Sequence, residues 1–230
     1  KITQRSGILE LMEDLGKLAH VKEKQYALGG GGPAHIPAIQ KIYRKRMQEI
    51  LDNGDEYENM ISNYDTPQGN IPFLKEFANF LKTQLGWDVT QKNITITTGS
   101  QSGFFMLFNL LAGEMDSGEK KKILLPIIPE YIGYTDQGIS EDLFIAYQPN
   151  FEIIDNHTFK YTIDFENLKI TDDIAGICVS RPTNPTGNVV TDEEVAKLTE
   201  LAEKNNIPLI IDNAYGKPFP NAIFTDAKLT

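Results

Sequence analysis

Two polar segments directly follow apolar runs in the second half of the chain, and their residue types suit the binding of a flat polar ring. Asp212 ends the run IPLIID, and Tyr215 follows it three residues later. An Asp at that point is costly to bury unless a cationic or hydrogen-bond-donating partner lies beside it. Asn184 stands between two prolines in SRPTNPTG, where Pro185 favours extended backbone at Asn184 and Gly187 allows a turn. These features predict a rigid mount for one amide side chain, with a simple Asx-type turn as the alternative.

Two further segments could complete such a site. TTGSQSG predicts a strand that runs into Gly99 and a helix that begins near Ser100, whose free N–H groups and dipole could hold a phosphate. PEYIGY offers Tyr131 and Tyr134 for stacking on a flat ring. The residues alone leave the alternatives open, which are a plain strand-to-helix turn and aromatic side chains that only pack.

The spacing of apolar residues predicts helices in the first half of the chain. Amphipathic patterns indicate helices over 7–19, 38–51 and 71–85. The later run QSGFFMLFNLLA, which starts at Gln101, is apolar on nearly all sides. We therefore expect a deeply buried helix there.

Strands and helices alternate in the second half. The runs KKILLP, DLFIAYQ, DIAGICVS and NIPLIID indicate strands, and Thr191 with Glu194 forms a capping-box pattern for a helix that ends near Asn205. This alternation predicts an α/β domain with a largely parallel sheet. Ligands of such sheets bind at the carboxyl ends of strands, and all four polar segments described above fall at predicted strand ends.

Together these groups define a ligand class. A phosphate cup, an aromatic face, an amide donor, a carboxylate and a tyrosine hydroxyl suit a planar, phosphorylated heteroaromatic cation that carries a hydroxyl group. Pyridoxal 5'-phosphate is such a molecule. Asp212 would keep its ring nitrogen protonated, so that the ring could draw electrons from a substrate carbanion.

Bulk composition excludes several other classes. The 230 residues carry a net charge of −10, whereas a nucleic-acid binder normally shows a basic footprint. No apolar run approaches the ~20 residues of a membrane helix, so we expect no membrane partner. The single cysteine, Cys178, permits no internal disulfide, and we expect a cytoplasmic protein. His20, His35 and His157 lack metal-ligand spacing, so we expect no metal.

The motifs NPTG (184–187), DNAY (212–215), TGSQ (98–101) and PEYIGY (129–134) together resemble the class I/II aminotransferases of fold type I. The resemblance covers essentially the whole chain. It implies a three-layer α/β/α domain like the large domain of aspartate aminotransferase, here incomplete, preceded by an N-terminal helical segment. We expect residues 1–60 to form the N-terminal arm with part of a small domain, and residues 61–230 the large pyridoxal-phosphate-binding domain.

The resemblance also assigns roles around the cofactor. It implies that Ser100 and Gln101 hold the cofactor phosphate, that Tyr131 stacks on the ring, that Asn184 and Tyr215 bond the ring hydroxyl, and that Asp212 pairs with the ring nitrogen.

The resemblance extends to substrate and subunit contacts. Tyr64, in YDTPQG, matches the family tyrosine that reaches the phosphate of the neighbouring subunit, which implies a homodimer. Gly30 and Gly31, ahead of Pro33, match the loop that lies against the substrate carboxylate. SGILELMEDLG, LGGGGPAHIP and DNAYGKPFP resemble the branch of the family that transfers an amino group from alanine to 2-oxoisovalerate, giving valine and pyruvate.

One departure concerns the Schiff-base lysine. In the family it follows the D-x-A-Y segment on a later strand or turn, which places it beyond Thr230, and the arginine for the substrate carboxylate lies further on. Lys217 does not match the position of that lysine. We therefore expect no catalytic residue within this chain. Two other functions stay open, namely a pyridoxal-phosphate lyase on the same fold and an aminotransferase-like sensing domain of a transcription regulator.

Overall fold

The computed structural model describes residues 7–18, 26 and 35–216. The glycine-rich loop with Gly30 and Gly31, and also Lys217, lie outside the described residues. The chain divides into two compact units, one formed by Leu9–Thr97 and the other by Thr98–Thr230 together with Lys1–Ile8. The expected division at residue 60 stays a prediction.

The first half is helical, as its amphipathic patterns predict. Its helices are α1 (Gly7–Leu18), α2 (Pro37–Asp52), α3 (Glu56–Ser62) and α4 (Ile71–Leu85). The predictions of helices over 7–19, 38–51 and 71–85 are confirmed, whereas the short helix α3 was not predicted. No helix in the described ranges is long and apolar enough to cross a membrane.

Local residue chemistry sets both ends of α4. The Asn70 side chain caps the first turn by accepting a hydrogen bond from the Phe73 amide at 3.1 Å. Gly86 ends the helix with φ +73°, a left-handed conformation that glycine adopts without strain. Leu74 and Ala78 on the buried face pack with Ile94 to form the small core of this unit.

The second half is an α/β domain. It contains α5 (Ser100–Leu111), β1 (Gly113–Glu114), β2 (Lys120–Leu125), β3 (Phe144–Ala146), β4 (Asn150–Ile153), β5 (Phe159–Thr162), β6 (Ile174–Ser180), α6 (Asp192–Lys204) and β7 (Leu209–Asp212). The strands predicted from KKILLP, DLFIAYQ, DIAGICVS and NIPLIID are confirmed as β2, β3, β6 and β7. The predicted capping box is also confirmed, because Thr191 and Glu194 bond each other's backbone amides at the start of α6.

The main sheet is largely parallel, as predicted. β2 pairs in parallel with β3 and β6, and β6 pairs in parallel with β7, whereas the short β1 pairs with β2 antiparallel. The carboxyl ends of β2, β6 and β7 therefore meet at one edge. β4 and β5 form a separate antiparallel hairpin that was not predicted.

Helices cover both faces of this sheet. Successive residues of a strand point to opposite faces. In β2, Ile123 and Leu125 accordingly join a buried cluster with Phe108 of α5, whereas Leu124 joins a second cluster with Leu198 of α6. The predicted three-layer α/β/α arrangement is confirmed.

Two expectations around α5 are wrong. No strand runs into Gly99, because the Ile96 amide donates to the Gln68 carbonyl at 2.8 Å instead of to a neighbouring strand. The helix does begin at Ser100, but it is not deeply buried. Phe108 is fully buried, while Met106 and Leu110 are 60% and 78% exposed, because only one face of α5 reaches the sheet.

The cap of α6 gives a testable prediction. Replacing Thr191 by Ala removes the hydroxyl that accepts from the Glu194 amide at 3.1 Å, so we expect the free energy of unfolding to fall by about 1 kcal/mol. Urea denaturation of the complete protein measures this change. Thr191→Ser, which keeps the hydroxyl, serves as the control and should retain most of the stability. Equal losses in both variants would contradict the capping role.

Candidate functional site

A cavity of about 150 Å³ opens at the carboxyl edge of the sheet, where the segments that follow β2, β6 and β7 converge. Its lining contains most of the cofactor-binding residues predicted from the sequence. The lining residues are Ser100, Tyr131, Ser180, Pro182, Asn184, Asp212, Ala214 and Tyr215. The motifs are thus far apart along the chain but meet in one place.

The carboxylate of Asp212 lies at the end of β7, where two donors hold it. Oδ2 accepts a hydrogen bond from the Tyr134 hydroxyl at 2.8 Å, and Oδ1 accepts one from the Ala214 amide at 3.0 Å. These bonds offset the cost of placing a carboxylate in a half-buried position. They also fix its orientation while leaving lone pairs for a ligand in the cavity.

Tyr134 is buried and is not one of the residues that line the cavity. Its ring is buried against Phe104 and Phe108, with centroid distances of 5.1 and 5.5 Å. Burial, and to a smaller extent the nearby Cys178 and Asp212, raises the pKa of Tyr134 far above its ordinary value. The hydroxyl therefore stays protonated and donates to Asp212. The prediction that the Tyr134 ring is available for stacking was wrong, because the 3₁₀ turn over 132–136 directs its hydroxyl to the Asp212 carboxylate.

Two backbone hydrogen bonds within the loop that carries Asn184 hold it in a tight turn. The Gly187 amide donates to the Thr183 carbonyl at 2.8 Å, and the Thr183 amide donates to the Asn188 carbonyl at 2.9 Å. Gly187 has φ +68°, as the turn requires. Within the described part of the chain the Asn184 side chain has no hydrogen-bond partner, so its amide can serve a ligand.

A buried arginine ties the same loop to its neighbours. The Arg181 side chain is only 3% exposed; its Nε donates to the Val190 carbonyl at 2.7 Å, and its guanidinium forms an ion pair with Asp192 at the start of α6. The Arg181 amide donates to the Asp212 carbonyl at 2.9 Å. The loop therefore connects the ends of β6 and β7 with the start of α6.

Ser100 and Gln101 occupy different positions relative to the cavity. Ser100 is the exposed first residue of α5 and belongs to the lining. Gln101 instead donates through Nε2 to the Tyr131 hydroxyl at 2.8 Å and accepts a bond from the Gln137 amide group. Its side chain therefore positions Tyr131 and is not part of the lining.

The remaining predicted residues are placed as follows. Tyr215 lines the cavity and is 41% exposed. Tyr64 belongs to the unit Leu9–Thr97, and its side chain is fully exposed. Gly30 and Gly31 lie outside the described residues, so their role stays a prediction.

Sequence reasoning missed Glu130, which lies next to the lining. Its carboxylate accepts hydrogen bonds from the Ser180 amide at 2.8 Å, the Ser180 hydroxyl at 2.6 Å and the Tyr131 amide at 3.1 Å. Burial raises the pKa of Glu130 to about 7, although these hydrogen bonds act in the opposite direction. The signal was present in the sequence, because Glu130 shortly follows the apolar run of β2, and Asp212 ends the apolar run of β7.

Comparison with known proteins agrees with this geometry. The family model described as "Aminotransferase class I and II" matches residues 38–227. Valine–pyruvate aminotransferase of Escherichia coli (strain K12) is 50% identical over 228 residues, which are 99% of this chain and 54% of that protein. The chain thus spans about half the length of this curated relative.

Solved structures give the same result. The crystal structure of valine–pyruvate aminotransferase from Salmonella typhimurium LT2 matches with a TM-score of 0.78 and 48% identity, over 97% of this chain and 54% of that one. Aspartate aminotransferase from Thermotoga maritima matches with a TM-score of 0.71 and 18% identity, over 98% of this chain and 55% of that one, and supports the fold alone. With a family model that covers most of its length and a relative of 50% identity, the chain belongs to the class I and II aminotransferases.

Proposed function

We propose that the complete protein is a pyridoxal-phosphate-dependent aminotransferase that transfers the amino group of alanine to 2-oxoisovalerate, giving valine and pyruvate. The identity of 50% with the valine–pyruvate aminotransferase of Escherichia coli supports this substrate pair. The observation that carries the proposal is the carboxylate of Asp212, which two donors orient at the wall of a cavity formed by the family motifs.

The residues of the cavity fit the cofactor of this family, which is pyridoxal phosphate. Asp212 supplies an acceptor for a protonated ring nitrogen, and Asn184 and Tyr215 supply donors for the ring hydroxyl. Tyr131 supplies an aromatic face, and Ser100 supplies a hydroxyl at the N-terminus of α5, where an anion is favoured. When bound, the cofactor serves as an electron sink for the substrate carbon.

The roles of the protein groups follow from their fixed positions. The Asp212 carboxylate would hold the proton of the ring nitrogen, because an anion beside that nitrogen favours its charged form. Tyr134 would keep the carboxylate pointed at the ring. Gln101 would act on the ring through the Tyr131 hydroxyl that it bonds, in addition to the phosphate contact that the family resemblance implies.

We also propose that the complete protein is a homodimer, with Tyr64 reaching the cofactor phosphate of the partner subunit and Gly30 and Gly31 against the substrate carboxylate. The full exposure of the Tyr64 side chain supports this role, because the residue must be free to contact another subunit. A cytoplasmic location stays part of the same prediction.

The absorption spectrum of the complete protein with pyridoxal phosphate tests the proposed reaction. We expect a visible absorption band that alanine removes, with one pyruvate released for each cofactor. Release of another product from an amino acid without formation of pyruvate from alanine would indicate a lyase. A band that alanine shifts without any product would indicate a sensing domain, and absence of a band would overturn cofactor binding itself.

Removal of the Asp212 carboxylate should be severe. We expect Asp212→Ala to lower kcat/KM by about 10²-fold or more, because it removes the charge placed against the ring nitrogen. The far-ultraviolet circular dichroism spectrum should be unchanged. Asp116→Ala, in the exposed turn between β1 and β2 and outside the cavity lining, is the matched control. Turnover at the level of this control would exclude the proposed role of Asp212.

The Tyr134 hydroxyl can be removed with little change of packing. Tyr134→Phe keeps the ring between Phe104 and Phe108 but removes the donor to Asp212. We expect the affinity for pyridoxal phosphate to fall by about tenfold, equivalent to about 1.4 kcal/mol, as for loss of a hydrogen bond to a charged group. Equilibrium dialysis of the apoprotein measures the affinity, with Tyr161→Phe as control. Unchanged affinity would show that the carboxylate needs no such donor.

A further inference from the structure

Glu130 is a half-buried carboxylate next to the cavity lining that has no part in the proposed chemistry. It follows β2, while two of its hydrogen-bond donors belong to Ser180, the last residue of β6. The third donor is the amide of Tyr131. One carboxylate thus joins two chain segments that both line the cavity.

The position of this contact explains what it can do. The ladder between β2 and β6 pairs residues as far as Leu124 and Ile177. Beyond that point the two segments separate, and the Ser180 amide finds its acceptor in Glu130 instead of in a backbone carbonyl of β2. The carboxylate therefore continues the connection between the strands after the ladder has ended.

The same contact links Tyr131, an aromatic residue of the cavity lining, to the polar residues Asn184 and Asp212. Ser180 lies opposite Asp212 in the parallel register of β6 and β7. The Thr183 hydroxyl donates to the Ser180 carbonyl at 3.0 Å, one residue before Asn184. Through Ser180, Glu130 thus connects the backbone of Tyr131 with the segments that carry Asn184 and Asp212.

We propose that Glu130 is a positioning residue for the cofactor, whose carboxylate fixes the separation between the Tyr131 ring and the polar groups of Asn184 and Asp212. The inference rests on the proposed function, because it assumes that pyridoxal phosphate binds between these groups. Glu130 would not touch the cofactor but would act through the two backbone amides that it accepts from.

The charge of Glu130 matters to this role, because only the ionised carboxylate accepts from all three donors with both oxygens. Its titratable neighbours are Asp212, Tyr134 and Cys178. Burial raises the pKa of Tyr134 and of Cys178, so both stay neutral. The guanidinium of Arg181, the residue after Ser180, pairs with Asp192.

The sign of the pH effect follows from this environment. Burial raises the pKa of Glu130 to about 7, so the carboxylate loses its proton as the pH rises through neutrality. The contact is therefore strongest above that pH. We therefore expect the ionisation of Glu130 to raise the affinity for the cofactor from about pH 6 to about pH 8. Glutamine does not titrate, so a Gln at this position should lack that gain.

The experiment compares the affinity of the complete apoprotein for pyridoxal phosphate at both pH values, by equilibrium dialysis. We expect Glu130→Gln to weaken binding by about tenfold at the higher pH, because one of the two backbone amides loses its acceptor. Ser180→Ala keeps the Ser180 amide and should have a smaller effect, of about threefold. Glu152→Gln, on the exposed strand β4, is the matched control and should behave as the unchanged protein does.

The outcomes separate the inference from the proposed function. Absence of binding by the unchanged protein would overturn the proposed function. Normal binding by that protein and by Glu130→Gln alike would overturn only the role of Glu130. Weaker binding with the pH dependence of the unchanged protein would also overturn it, since general loss of stability would have that effect. Weaker binding together with a smaller pH dependence would support the positioning role.

Discussion

Parallel hydrogen bonding between β2, β6 and β7 determines where the polar groups of the site must lie. Parallel strands end at the same edge of a sheet, so each segment that leaves this sheet begins beside the others. Residues separated by scores of positions in the sequence, such as Tyr131 and Asp212, meet in one cavity for this reason. The two helical layers bury both faces of the strands, which leaves this edge as a suitable place for a polar ligand.

Asp212 and Glu130 are carboxylates at this edge with different hydrogen-bond environments. Asp212 accepts one hydrogen bond on each oxygen, from Tyr134 and from the Ala214 amide, and still faces the cavity. Glu130 accepts three hydrogen bonds from backbone and hydroxyl donors of Tyr131 and Ser180. The same functional group can thus serve a ligand in one position and hold the backbone in the other, depending on the donors that surround it.

The sequence was sufficient for features that depend on neighbouring residues in the chain. Apolar runs predicted strands, the pair Thr191 and Glu194 predicted the start of α6, and the motifs indicated the family. Features that depend on distant contacts were missed. The burial of α5 depends on how much of its surface reaches the sheet, and the hydrogen bond between Tyr134 and Asp212 joins residues 78 positions apart.

The hairpin of β4 and β5 shows a different limit. Both strands alternate polar and apolar residues, with Phe151 and Ile153 on one face of β4. Each strand has only four residues and all of β4 is exposed, so the pattern is too short to distinguish a strand from a loop. The missing strand before Gly99 shows the converse. A β-branched sequence favours extended backbone, but a strand also needs a partner, and the Ile96 amide bonds a loop carbonyl instead.

The contacts of the Arg181 side chain affect the entropy of ligand binding. A loop that stays open in solution must lose conformational freedom when a ligand orders it, and this loss weakens the affinity. Here the guanidinium joins the end of β6 to the Val190 carbonyl and to Asp192 before any ligand arrives. The loop that presents Asn184 has already given up most of that freedom during folding. A ligand that enters the cavity therefore meets an amide on a preorganised loop, and little of the strength of that contact is lost to ordering of the loop.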